Sequence, residues 1–156
     1  MNKNDWFWLV AIIGLILDQV TKFWTVATFP NIGDSWALIP DIFHFTYVKN
    51  TGAAFSFFTG GAVWLRWLSL FVSLALIIYG WREKLTTFEQ VGYGFILSGA
   101  LGNGMDRFLF GYVVDFFDFR LINFPVFNIA DVCINLGIIF LLYAIYQESM
   151  GKGEGR

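Results

Sequence analysis

The sequence predicts an all-α membrane domain of four transmembrane helices, with a small piece of β structure gathered at one end. Three observations predict it. The 156-residue chain is 57% hydrophobic and 21% aromatic but only 14% charged, whereas a soluble domain is about 45–50% apolar and about 25% charged. Four apolar windows approach the roughly 20 residues that a bilayer span needs. The polar residues inside those windows collect at one end of them instead of scattering.

The predicted spans cover about 6–26, 62–81, 88–110 and 126–146, in a single domain of residues 1–156. The first follows Lys3 and resembles a signal peptide in outline. It leads straight into Asp18-Gln19-Val20-Thr21-Lys22 with no small-residue cleavage pattern, so it reads as a retained span. Arg82-Glu83-Lys84 joins spans two and three. The polar tail Gly151–Arg156 reads as disordered. The connection Ala27–Gly61 carries the turn signals Pro30, Asn31, Gly33, Asp34 and Pro40. Its β-branched and aromatic runs Trp36–Ile39 and Ile42–Val48 read as short strands. Gly111–Phe124 reads as a short amphipathic segment lying along the membrane surface.

Composition also excludes function classes. The net charge is −2, and no basic run suggests nucleic acid. Cys133 is the single cysteine and His44 the single histidine. They rule out an intrachain disulfide and a multi-histidine metal site, and with no G-x-S-x-G present a Ser-His-Asp triad is disfavoured. Cys133 reads as a small buried apolar residue and His44 as a solvent-facing strand residue. A positive-inside count gives five cations on each side and does not decide orientation. The set in short connections and tails favours cytoplasmic termini.

Charges near a bilayer core cost several kcal/mol and usually mark function. Asp18 and Lys22 stand four apart on one helix face. Asn103, Asp106 and Arg107 occupy i, i+3 and i+4 of span three. Asn128, Asp131 and Asn135 open span four, and Asp115 follows span three. All fall at the end where the two long connections lie. Two carboxylates held close together share a proton. The ionised one can activate water against a carbonyl, and the protonated one can bond the carbonyl oxygen. A carboxylate-only metal site is the less favoured alternative.

Five segments carry a resemblance: Asp18–Lys22; Lys49-Asn50-Thr51-Gly52-Ala53-Ala54-Phe55; Gly99–Asn103 with Asp106-Arg107; Val113-Val114-Asp115-Phe116; and Phe127-Asn128-Ile129-Ala130-Asp131. In this order they resemble the motifs of bacterial lipoprotein signal peptidase, also called signal peptidase II. The resemblance implies an aspartyl endopeptidase of the bacterial inner membrane. Such enzymes remove the signal peptide from prolipoproteins, just before a cysteine already carrying diacylglycerol. It implies Asp115 and Asp131 as the catalytic dyad, supported by Asp18, Lys22, Asn50, Asn103, Arg107 and Asn128, with no metal and no cofactor. It places the site near the extracytoplasmic surface, beneath a small β-cradle, with both termini cytoplasmic. The implied partners are prolipoprotein substrate and membrane lipid, and the expected state is a monomer. Gly104, where a bulky aliphatic residue is expected, and Val132, where serine is expected, depart from the pattern without touching a proposed catalytic group.

Blander readings stand beside these. Asp18–Lys22 equally fits an ion pair closing a helix end. Asn128 sits where a helix cap belongs. The glycines of span three, Gly92 to Gly104, suit close helix packing in lipid. A proton relay through Asp18, Asp106 and Asp131 would need a path to both faces. Trp6–Leu17, Leu74–Trp81 and Gly137–Tyr146 carry no acid or base, which disfavours that relay. An assembly subunit without chemistry would not explain polar motifs collected at one depth.

Overall fold

The computed structural model describes residues 3–52 and 61–153. Four long helices carry the fold: α1 Asp5–Thr28, α2 Gly61–Arg82, α3 Thr87–Leu109 and α4 Ile129–Gly153. Three of them are long and apolar enough to cross a membrane. α3 does not reach that hydropathy, and its environment explains why. It is the central helix, packed against α1, α2 and α4, so protein covers surface that would otherwise face lipid. Its buried positions include Ser98, Asn103 and Asp106 as well as five glycines.

Glycine sets the α3–α4 distance. A Cβ at Gly92 would meet the Leu141 side chain at 2.8 Å, and one at Gly137 would meet the Gly92 carbonyl at 2.6 Å. A side chain at either position would force the helices apart. The outer faces of α1, α2 and α4 expose large apolar residues such as Ile16, Phe23, Phe71 and Leu142, as surfaces meeting lipid require.

Between α1 and α2 the chain forms strands β1 Ser35–Ile39 and β2 Phe43–Asn50, close to the ranges read from the sequence. The segment expected to be amphipathic is instead a third strand, β3 Val113–Phe119, followed by one 3-10 turn at Arg120–Ile122. Its β-branched and aromatic residues suit a pleated surface. Antiparallel pairing with β2, with His44 opposite Asp118 and Val48 opposite Asp115, satisfies a backbone that a surface-lying coil would leave to water. The sheet order is β1-β2-β3.

That third strand also corrects the reading of His44. It lies on the central strand, 8% exposed, with Ser35 Oγ 3.3 Å from Nδ1 and no partner at Nε2. The tail needs a correction too. α4 continues to Gly153, and only 154–156 of the expected disordered stretch lie outside the described residues. So do Ala53, Ala54 and Phe55 of the second motif.

Candidate active site

The site is assembled where α1 and α3 end, α4 begins and β2 and β3 cross. Asn128 precedes the first turn of α4 and caps it. Its Oδ1 accepts from Asp131 N at 3.0 Å, and Asp131 Oδ2 accepts from Asn128 N at 3.1 Å. This reciprocal box fixes the Asp131 side chain at a helix N-terminus, where backbone dipoles favour an anion. From α1, Asp18 reaches the same turn, and its Oδ1 accepts from Ala130 N at 2.9 Å. Gly102 permits this approach, since a Cβ there would lie 2.3 Å from Asp18 Oδ2.

Two asparagines tie the carboxyl groups together. Asn103 Nδ2 donates to Asp131 Oδ1 at 2.8 Å. Asn128 Nδ2 donates to Asp115 Oδ1 at 2.6 Å and to Asn103 Oδ1 at 3.0 Å. Asn50, from the end of β2, donates to Asp115 Oδ2 at 2.8 Å. Each carboxylate therefore has a donor on both oxygens, and Asn103 and Asn128 link one carboxylate to the other.

Their surroundings differ. Asp115 is 1% exposed. Burial pushes its carboxyl up to about 7; the hydrogen bond from Asn50 opposes this, and the nearby Asp131 charge adds to it. Asp131 is half-buried and lines two cavities. One, of about 290 Å³, lies between α2, α3 and α4 and is also bordered by Asn103 and Arg107. The other, of about 450 Å³, lies between Asn50, Phe127 and the outer side of α4. Arg107 stands within electrostatic reach of Asp131, Asp115 and Asp106.

Behind the carboxyl pair lies a buried charge network. Lys22 Nζ pairs with Asp18 at 2.8 Å and Asp106 at 2.9 Å, and donates to Asn103 Oδ1 at 3.0 Å. All eight residues singled out from the sequence, Asp18, Lys22, Asn50, Asn103, Arg107, Asp115, Asn128 and Asp131, thus converge on one place.

Over residues 10–147 the chain matches the family model described as signal peptidase (SPase) II. The chain belongs to the signal peptidase II family. Two relatives named lipoprotein signal peptidase come from Gloeothece citriformis and Microcystis aeruginosa. The first is 71% identical over 94% of this chain and 92% of its own. The second is 66% identical over 94% and 96%. A bacterial membrane enzyme solved by the in meso method at 2.3 Å superposes with a TM-score of 0.82 at 35% identity, covering 95% of this chain and 92% of that one. Another, at 1.9 Å, gives 0.78 at 36% identity over 88% and 90%. Signal peptidase II is a protease family, and the chain is a multi-pass membrane protein.

Sequence reading left two members of this polar cluster out of its candidate site residues. Asp106 was grouped with Asn103 and Arg107 but assigned no part in it. Besides pairing with Lys22, its Oδ2 accepts from Val114 N at 3.3 Å, in the strand residue just before Asp115. Gln19 bridges Asp18 and Asp106, at 3.1 Å to each. The signal for Asp106 was present in the sequence: it stands i+3 from Asn103 on the same helix face.

Proposed function

We propose that this protein is an aspartyl endopeptidase that removes the signal peptide from diacylglyceryl-modified prolipoproteins, cutting before the lipid-modified cysteine. The observation that carries this reading is the linked pair of carboxyl groups, one sealed and raised to about 7, the other opening on cavities at the end of the helix bundle. Family membership supports it independently.

The two environments divide the labour. Asp115 keeps the shared proton near neutral pH, and Asp131 is the base. Asp131 takes a proton from water as the water oxygen attacks the scissile carbonyl carbon. Asp115 gives its proton to the developing oxyanion. Collapse then breaks the C–N bond: the proton on Asp131 passes to the departing amine, and a hydroxyl proton of the intermediate returns to Asp115. Arg107, at the rim of the smaller cavity, favours anionic character there. No metal or cofactor enters these steps.

The same reading makes α3 a fourth span. Its 23 residues match the bilayer length, and its neighbours shield its polar face. The enzyme lies in the bacterial cytoplasmic membrane with both termini cytoplasmic. The sheet then forms a cradle at the extracytoplasmic surface, where diacylglycerol remains in lipid while the peptide meets water. The chain acts as a single domain and as a monomer.

The test is cleavage of a purified, lipidated precursor by purified protein. Cleavage should persist in EDTA. Asp115→Asn and Asp131→Asn should each reduce it by about 10²–10⁴-fold, the usual worth of a positioned acid or base, while leaving the protein folded. Substantial turnover by either variant would sink the two-carboxylate mechanism, and loss on chelation restored by a divalent ion would favour a metal site.

A further inference from the structure

Two cavities border Asp131, and their linings differ. The smaller one, between α2, α3 and α4, carries Asn103 and Arg107. Those side chains can bond a peptide backbone, which needs partners once it leaves water. The larger one, of about 450 Å³, is a slot along the outer side of α4. Val132, Leu136 and Ile139 line it at spacings of four and three, so they share one helix face. That stripe runs about 10 Å along α4 from the turn that holds Asp131. Leu136 and Ile139 are exposed, so the distal end of the slot opens towards lipid. Phe124 and Phe127, from the connection between β3 and α4, cover it. Aromatic contacts and the sheet brace that cover. Phe127 stacks on Phe119 at 6.1 Å, and Phe124 meets Phe127 edge-on at 5.6 Å. Phe117 and Phe127 exchange backbone hydrogen bonds at 2.8 and 3.1 Å. The amides in the slot already have partners. Asn50 donates to Asp115 and accepts from Gly52 N, both at 2.8 Å, and Asn135 donates to the Asp131 carbonyl at 2.9 Å. Among the described residues, Asp131 is the one charged group that lines the slot.

We infer that this slot seats one acyl chain of the diacylglyceryl group on the substrate's cysteine, with Val132, Leu136 and Ile139 setting the fit. The inference rests on the peptidase reading above and gives the lipid a place within that site. Three arguments fix the occupant. The first is connectivity. The modified cysteine follows the scissile bond directly, so its glyceryl carbons lie within a few bonds of the carbonyl that water attacks. A chain leaving that point meets the Asp131 end of the slot. The second is polarity. A hydrocarbon chain has no donor or acceptor to satisfy, whereas a peptide backbone against Val132, Leu136 and Ile139 would bury groups without partners. The third is continuity. The distal end opens on the lipid-facing side of α4, where the second chain and the rest of the first stay in the bilayer. Seating the chain therefore moves little hydrocarbon out of lipid and adds little affinity. What it supplies is orientation of the scissile bond against Asp131, which is read in kcat.

The test pairs two synthetic precursors in lipid nanodiscs, identical except that one carries palmitoyl chains and the other acetyl groups. Each is cleaved by the unsubstituted enzyme and by the Leu136→Trp, Ile139→Trp and Ile138→Trp variants. An indole at position 136 or 139 fills the slot. Ile138 is also exposed but lies outside the slot, and serves as the control. For the palmitoyl precursor, Leu136→Trp and Ile139→Trp should lower kcat about ten- to hundredfold, as a misplaced reacting bond does, and Ile138→Trp should leave it unchanged. The acetyl precursor is too short to enter the slot. The unsubstituted enzyme should already cleave it slowly, and no variant should slow it further. A second readout needs no turnover. On the Asp131→Asn protein, a palmitoyl chain bearing a diazirine should label α4 between Val132 and Ile139. Labelling of α2 instead, an equal loss with both precursors, or no loss with the palmitoyl one overturns the inference. If the unsubstituted enzyme cleaves neither precursor, the peptidase reading itself fails and the inference falls with it.

Discussion

The two ends of the helix bundle use buried polar groups in opposite ways. At the far end, Asn4 alone joins three backbone groups: its Nδ2 donates to the Gly80 and Glu83 carbonyls at 2.8 and 2.7 Å, and its Oδ1 accepts from Leu85 N at 3.1 Å. This clamp meets the backbone's needs at a turn, with Lys3 Nζ donating to the Arg82 carbonyl and Gln90 Nε2 to that of Leu85. At the site end, side chains from α1, β2, α3, β3 and α4 bond chiefly to one another. Side chain–side chain bonds are only about 10–15% of those in a typical protein. A dense knot of them, holding four buried or half-buried carboxylates, exceeds what joining helices requires. The difference separates groups that complete the fold from groups that the fold exists to position.

The largest test of that comparison removes the central cation. Lys22→Met leaves Asp18 and Asp106 buried without their partner, and breaking a buried pair costs about 3–5 kcal/mol. Thermal unfolding in detergent should show the loss, and cleavage should fall with it. Adding Asp18→Asn and Asp106→Asn removes the uncompensated charges and should restore much of the stability. Turnover should stay low, because Asn103 Oδ1 still lacks one of the two donors that orient it towards Asp131, Asn128 being the other. Full recovery of turnover together with stability would mean that the network serves the fold alone.

The next test is pH, and it acts through Asp115 at the site end. Asp115 is raised from 3.8 to about 7, so it loses its proton as pH rises through that value. kcat/KM should fall about tenfold per pH unit above about pH 7, because the acid form disappears. Stability has the same sign. The folded state holds this proton more tightly than the unfolded chain, so the contribution is fully present below about pH 4, declines up to about pH 7 and is flat above. Asp115→Asn should remove this part of the pH dependence of unfolding. An unchanged profile in that variant would transfer the titration to another group.

Much of this was legible in the sequence. Apolar windows gave the four helices to within a few residues at most boundaries, because a bilayer dictates length and composition together. α4 is the exception: it starts at Ile129, three residues after the predicted Val126, since Asn128 caps it, and it runs on past Tyr146. Seven of the eight candidate site residues were legible because charges and amides in or beside apolar runs are conspicuous; Asn50, at the end of β2, came only from the motif resemblance. β3 was not. Val113–Phe119 alternates too weakly to declare its faces, and its pairing partner lies more than 60 residues away. His44 was misread for the same reason, since only the third strand makes β2 central. Asp106 was legible as a position, but its bond to Val114 N depends on where β3 lies.

The smallest effect on cleavage is predicted at the far end. Asn4→Ala removes the partner of the Leu85 N–H and of two carbonyls, and Asn4 is 3% exposed. An unsatisfied buried group costs about 1–3 kcal/mol. Asn4 also adopts φ 67°, a left-handed conformation that alanine occupies at a further cost of about 1–2 kcal/mol. Asn4→Gly relieves the second cost and keeps the first, so unfolding of the two variants separates the hydrogen bonds from the backbone strain. Both should melt earlier than the unsubstituted protein, alanine before glycine. Both should retain kcat/KM within about twofold, because the Asn4 side chain bonds to the backbone around the α2–α3 turn, at the opposite end of the helices from Asp131. A loss of turnover in Asn4→Gly comparable to that in Lys22→Met would mean that the bundle transmits its far end to the carboxyl pair, and the two ends could no longer be treated as separate.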